Sequence, residues 1–248
     1  MPRILAVVVL YFPSRPLEHI VESFKSHVDD ILVVDNTQNN TGVAAALNLG
    51  LKKALEEHYD WCLTMDQDSF FEKGALEKLK NIAFEADEKV GMISPFHKTQ
   101  KSEKNVRGTI DEVRFTMSSG CLVRINTIGY FEEKLFIDSV DTEYCLRLRK
   151  NGYKIIRVND AVLDHELGTL KKNWLGFSTI VHPASRRYYI TRNMLYIMSL
   201  YPEIRMFGIK ELIKAFVLIV IAENDKPEKI KAFFRGFRDF REIKNAKL

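Results

Sequence analysis

Asp66-Gln67-Asp68 follows an apolar run, Trp61-Cys62-Leu63-Thr64-Met65. Alternate residues of an extended chain leave it on the same side, so the two carboxylates can offer oxygens to one hard divalent cation. The run itself reads as a buried strand, and the rim beyond such strands is where open α/β sheets bind ligands. A cation held there can bridge the phosphates of a nucleotide and neutralise a departing diphosphate. The D-x-D pattern also recurs in acidic loops, so its weight depends on what surrounds it. Asp138, Asp141 and Glu143 crowd three carboxylates into residues 138–143. A carboxylate in such a cluster can serve as a general base. Arg186, Arg187 and Arg192 lie in a tyrosine-rich stretch. Their guanidinium forks can grip a diphosphate, or the stretch can form a solvated basic face against anionic lipid.

These residues need a frame that holds them. Residues 4–10 (Ile-Leu-Ala-Val-Val-Val-Leu) form a continuous β-prone run, as a strand covered on both faces requires, and Tyr11-Phe12-Pro13 ends it. The apolar spacing then predicts a helix over 17–27, a second buried strand over 31–34 and a strong helix over 43–57. The acidic motif closes a third strand over 61–65. A helix over 75–87 and a strand over 90–94 follow. This alternation predicts an α/β sheet, doubly wound with right-handed crossovers. Asp35 and Asp66 both fall at the carboxyl ends of strands. Residues 96–114 read as a polar loop, 118–120 (Ser-Ser-Gly) as a turn, 132–151 as an acidic cluster running into a helix, and 153–158 as a late strand. After Pro202 the pattern is helical to the end.

Composition bounds the partners. The chain has 248 residues, 46% hydrophobic and 28% charged, ordinary for a globular protein with a full core. A net charge of +4 suits an anionic substrate or membrane surface but is too small to indicate nucleic acid. Cys62, Cys121 and Cys145 stand singly in apolar stretches, which predicts buried reduced thiols. The start is too short and poorly flanked for a signal peptide, and the expected compartment is the cytoplasm. Neither a G-x-G-x-x-G fingerprint nor a P-loop lysine is present, which argues against nicotinamide and P-loop chemistry. A nucleotidyltransferase would want a glycine-rich phosphate loop after the first strand, and Tyr11-Phe12-Pro13-Ser14-Arg15 has no glycine.

Seven segments in order resemble the family 2 glycosyltransferases of the GT-A fold, most closely their bacterial rhamnosyltransferase branch. They are Val33-Val34-Asp35-Asn36, Gly42-Val43-Ala44-Ala45-Ala46-Leu47-Asn48-Leu49-Gly50, Leu63-Thr64-Met65-Asp66-Gln67-Asp68-Ser69, and Ser118-Ser119-Gly120-Cys121-Leu122. The remainder are Phe136-Ile137-Asp138-Ser139-Val140-Asp141-Thr142-Glu143-Tyr144-Cys145-Leu146-Arg147, His165-Glu166-Leu167-Gly168 and Tyr188-Tyr189-Ile190-Thr191-Arg192-Asn193. The resemblance covers residues 4–195 and implies a Rossmann-like, mostly parallel sheet flanked by helices, with a helical C-terminal extension. It implies a catalytic domain over 1–200 and a separate helical segment over 201–248, associated with membrane or acceptor. Five residues separate Asn36 from Gly42, fewer than relatives usually carry, which implies a more open pocket on the nucleotide side.

The activity so implied is inverting, metal-dependent transfer of L-rhamnose from dTDP-L-rhamnose to a cell-surface glycan or lipid-linked acceptor. UDP-galactofuranose or another UDP-hexose is the alternative donor. Asp68 is the implied direct ligand of Mn²⁺ or Mg²⁺, with Asp66 touching the ribose or reaching the metal through water. His165 is the third ligand, and imidazole beside carboxylates fits Mn²⁺ slightly better. Asp35, with Tyr11 and Asn36 beside it, would meet the nucleotide, although an aspartate there can also cap a turn. Asn48 is either a donor contact or a packing amide. Asp141 takes the place of the family's base, with Glu143 second, unless Glu143 caps its helix or holds the acceptor. Arg192 is assigned to the diphosphate.

Residues 215–222 (Ala-Phe-Val-Leu-Ile-Val-Ile-Ala) are apolar all round but far short of the roughly 20 that span a membrane. They read as a buried helix or as part of an interfacial one. Phe233, Phe234, Phe237 and Phe240, interleaved with Arg235, Arg238 and Arg241, have the pattern of a peripheral membrane face.

Overall fold

The structure, a computed structural model, describes residues 2–99, 109–165, 170–172 and 178–245. The chain divides into two compact units: Met1–Glu133 with Val140–Glu166, and Lys134–Ser139 with Leu167–Leu248.

In the first unit, β1 (Ile4–Leu10), α1 (Leu17–Glu22), β2 (Asp30–Asp35), α2 (Val43–Glu56) and β3 (Trp61–Asp66) keep the expected alternation. β4 (Ser69–Phe71), α3 (Ala75–Glu85), β5 (Val90–Lys98), β6 (Ile110–Glu112), β7 (Cys121–Arg124), α4 (Val140–Lys150) and β8 (Lys154–His165) follow. The strands form one sheet ordered β2-β1-β3-β7-β5-β8-β4, with β6 also paired to β8. It is mixed. β1 runs parallel to β2 and β3, but β7 enters antiparallel between β3 and β5.

Register does the work of aligning the rim. Leu10 pairs with Asp35 and Val9 with Asp66, so the acidic ends of β2 and β3 finish within one residue of each other along β1. Antiparallel Thr64↔Cys121 brings the turn before β7 to that same rim, and Ser69↔His165 ties the last residue of β8 to the start of β4. Behind the rim, Ile4, Ala6, Val8, Leu63 and Met65 are wholly buried, so the sheet forms a fixed base. Gly50 lets α2 close onto β1, because a Cβ there would stand 2.4 Å from Val7 Cβ.

Four local expectations need correction. The helix expected over 17–27 ends at Glu22 and gives way to a 3-10 turn at Lys25–His27. The strand over 31–34, expected buried, is β2 at the sheet edge, with Val33 38% exposed. Edge position depends on strand order, which the local sequence does not encode. The stretch read as loop holds the end of β5 and all of β6, and the late strand runs on to His165. All three cysteines are buried and free, as expected.

The second unit holds a two-stranded piece, β9 (Leu170–Lys172) with β10 (Ser178–Ile180), and three helices: α5 (Ala184–Leu200), α6 (Arg205–Ala222) and α7 (Lys226–Asn245). One face of α5 clamps the segment Lys134–Ser139. Arg186 pairs bidentately with Asp138 at 2.6 Å, Tyr189 stacks on Phe136, and Asn193 Nδ2 donates to the carbonyls of Leu135, Ile137 and Asp138. The clamp holds backbone that disfavours itself, since Phe136, Asp138 and Ser139 have φ of 61°, 64° and 64°.

Glu223 is buried between Arg187 and Lys229. Burial alone would raise its pKa, but the hydrogen bond and charge of Arg187, then those of Lys229, prevail and hold it below the ordinary 4.5. Glu223→Gln should cost about 3–5 kcal/mol at neutral pH, because it strands two buried cations. A depressed carboxylate stabilises the fold above its unfolded pKa, and that contribution is lost as pH falls through the folded value. Urea titrations should therefore show the wild-type advantage at pH 7 shrinking below pH ~4.5. An equal gap at acid and neutral pH would remove the ion pairs from the account.

Candidate active site

Asp66, Asp68 and His165 converge, with ligand atoms that all lie within 4.8 Å of one another. Asp66 ends β3, Asp68 stands in the tight connection to β4, and the pairing of β4 with β8 delivers the histidine. His165 Nδ1 is 3.5 Å from Asp68 Oδ1 and 2.7 Å from Ser69 Oγ. Ser119 Oγ donates to Ser69 Oγ at 2.8 Å and accepts the Asp66 N–H at 3.0 Å. One hydroxyl chain thus seats both an aspartate and the imidazole, the kind of support that fixes ligand orientation in metal sites. Gly120 makes the Ser119 turn feasible: its φ is +75°, and a Cβ would lie 2.7 Å from Leu163 Cδ2.

Charge in this cluster is unbalanced. Burial first, then the charges of Asp68 and Asp141, push the Asp66 pKa up to about 7. A group so placed favours whatever neutralises it, a proton or a divalent cation. Two carboxylates and an imidazole are a donor set suited to Mn²⁺ or Mg²⁺, so the residues fit the expected metal. His97 backs the cluster: its Nε2 donates to Ser119 O at 2.6 Å and its ring meets His165 edge-on. Burial lowers the His97 pKa to about 4, so it stands neutral there at neutral pH.

The middle residue of the motif also has a task. Gln67 Oε1 accepts the Tyr11 N–H at 2.6 Å and Nε2 donates to Tyr11 O at 2.9 Å, locking the end of β1 to the acidic turn. The Tyr11 ring is half exposed at the rim, edge-on to Phe12. Asp35 is exposed and accepts the Thr37 N–H at 2.8 Å; the Thr37 hydroxyl and N–H hold its pKa below the ordinary value. It therefore caps a turn while keeping an open carboxylate edge.

The remaining sequence candidates each have hydrogen-bond partners within the protein. Asn36 is buried and donates to Gly42 O at 3.1 Å, bracing the short loop. Asn48 exchanges hydrogen bonds with Phe131 N and O and donates to Glu133 Oε1, so it fixes the 131–133 turn against α2. Glu143 is buried in a bidentate pair with Arg147, whose guanidinium also donates to Ile128 O and Tyr130 O. In the second unit, Arg192 is buried, donates to Lys134 O and Leu135 O, and lies over the Tyr189 ring at 4.8 Å. The sequence reading missed Ser69, Ser119 and His97. The Ser-Ser-Gly turn was visible, but its partner strands were not. Glu166 and Gly168 lie outside the described residues.

Residues 13–146 match the model of glycosyl transferase family 2, and that span holds Asp35, both motif aspartates and Asp141. The chain belongs to this family. As a family 2 member it is a glycosyltransferase, and the likeness runs well beyond the matched span. It is 26% identical over 271 residues to the dTDP-rhamnosyl transferase RfbF of Shigella flexneri, covering 92% of each chain. Solved structures share the GT-A fold. Residues 1–349 of S. aureus TarS in complex with UDP-GlcNAc align with a TM-score of 0.53 at 14% identity, over 96% of this chain and 73% of that one. GalNAc-T7 with UDP, GalNAc and Mn²⁺ aligns with a TM-score of 0.60 at 10% identity, over 97% of this chain and 56% of that one. His165 and Arg192 fall outside the family match, so His165 stands on the geometry.

Proposed function

We propose that this glycosyltransferase is metal-dependent and inverting, and moves L-rhamnose from dTDP-L-rhamnose to a glycan growing on a lipid-linked acceptor. The observation that carries the reading is the convergence of Asp66, Asp68 and His165 at the rim where β3 ends. The rhamnosyl donor is supported by the likeness to a dTDP-rhamnosyl transferase across nearly the whole chain. Asp68 and His165 would hold Mn²⁺ or Mg²⁺, with Asp66 beside them. When bound, the cation supplies positive charge against the departing nucleotide diphosphate. Asp35 and Tyr11 meet the nucleoside. Asp141 accepts the proton of the acceptor hydroxyl as its oxygen bonds to the anomeric carbon. The bond from that carbon to the diphosphate breaks on the opposite face. Residues 1–200 bind donor and catalyse; residues 201–248 serve the acceptor side. The enzyme works peripherally at the inner face of the cell membrane.

A thermal-shift screen of nucleotide sugars with and without Mn²⁺ tests this. A donor present at 100 times its Kd stabilises by about 2.7 kcal/mol, so the preferred one stands out without knowledge of the acceptor. dTDP-L-rhamnose with Mn²⁺ should give the largest rise. A larger rise with UDP-galactofuranose or a UDP-hexose would replace the donor, and equal shifts with and without cation would remove the metal.

A further inference from the structure

Helix α6 is apolar on both faces. Gly208, Leu212, Ala215 and Ile219 are buried, while Met206, Ile209, Ile213, Val217 and Val220 stand 41% to 68% exposed on the other side. Steps of three and four residues put these five in one stripe along the helix. Phe216 continues the stripe onto α7, with its ring 6.0 Å from that of Phe234, and Phe234 and Phe237 are themselves 56% and 40% exposed. A continuous exposed apolar patch of this kind marks an interaction surface.

Charge says what covers it. Lys210 and Lys214 stand exposed along one border of the stripe, and Glu211, the single carboxylate of α6, pairs with Lys214. After Leu200 the chain has eleven Lys and Arg against seven Asp and Glu, which accounts for its entire +4; the first 200 residues are balanced. An apolar stripe bordered by lysines matches a lipid surface, where acyl chains take the apolar groups and anionic headgroups take the cations. Among the described residues no helix is long and apolar enough to cross a membrane. We propose that α6, joined by Phe234 and Phe237, lies in the plane of an anionic phospholipid membrane with its stripe sunk about 5–10 Å into the headgroup boundary. The proposal does not rest on the identity of the donor.

Sedimentation of the full chain with vesicles of phosphatidylglycerol and phosphatidylcholine, against phosphatidylcholine alone, tests it. Binding should require the anionic lipid and weaken with salt. Ile213→Gln with Val217→Gln should lower vesicle affinity roughly tenfold or more by removing apolar burial from exposed positions. Lys210→Gln and Lys214→Gln should each lower it about fivefold. All three variants should keep wild-type melting temperature and donor-induced stabilisation. Three results would overturn the proposal: wild type that ignores anionic vesicles, a double variant that binds them like wild type, or lost vesicle binding that comes with a lowered melting temperature. A wild-type dimer that the double variant converts to monomer, with vesicles ignored by both, would assign the stripe to a second copy of the chain. Absent donor binding in the wild type would strike the transferase reading alone.

Discussion

Asp141→Asn should keep nucleotide-sugar affinity near wild type and lower turnover by roughly 10²–10⁴-fold, the usual contribution of a positioned proton acceptor. The substitution removes a charge and a basic site at nearly constant volume, in the first turn of α4. Its separability rests on position. Asp141 influences Asp66 through its charge, but the three convergent ligand atoms belong to other residues. Single-turnover kinetics with saturating donor reads the chemical step directly, and calorimetry reads donor affinity. Glu143→Gln supplies the contrast. Glu143 is buried and pairs with Arg147 at 2.9 and 3.0 Å, so neutralising it should lower the melting temperature by weakening the start of α4. If Glu143→Gln instead kept its stability and lost turnover while Asp141→Asn stayed active, the two roles would have to be exchanged.

How much of this was legible in the chain depends on how far apart the cooperating residues lie. Asp66 and Asp68 could be paired from sequence because alternation along an extended chain is local. His165 could not be placed by spacing, since the Ser69↔His165 pairing joins residues on opposite sides of three intervening strands in chain order. Resemblance named it, and strand pairing explains it. Ser119 was hidden for the same reason: its hydroxyl matters because β7 runs antiparallel beside β3, and nothing near Ser119 announces that neighbour. Glu143 had a local clue, because Arg147 sits four residues on along the same helix, the spacing of a paired face. Arg192 shows a different limit. A basic, aromatic stretch describes a helix with two dissimilar sides, and composition does not say which side is covered. Here Arg192 and Asn193 turn inward onto carbonyls of the 134–139 segment. The run 215–222 shows the converse. Uniform apolarity there left a buried helix and an interfacial one open, because a helix with one wall beside it covers only one of its faces.

Asp68→Asn should abolish divalent-dependent donor binding while leaving the metal-free protein at least as stable as wild type. The first half follows from the donor set. Losing the charge of a direct ligand should exceed the 10–100-fold cost typical of changes to supporting residues around a metal. The second half follows from the sign of the Asp66 shift. Its folded pKa of about 7 lies above the ordinary 3.8, so the fold loses stability as pH rises between those values and recovers none above them. Burial is the main cause and remains, but the Asp68 charge is the next, and removing it eases ionisation of Asp66 in the folded state. Without metal, the variant at pH 7.5 should therefore melt no lower than wild type. With Mn²⁺ and dTDP-L-rhamnose, wild type should gain stability and the variant should not. A merely structural aspartate predicts the opposite pair of results, a lower melting point without metal and an intact response to it. Calorimetry of donor binding with Mn²⁺ completes the test: affinity unchanged in Asp68→Asn would take that carboxylate out of the site.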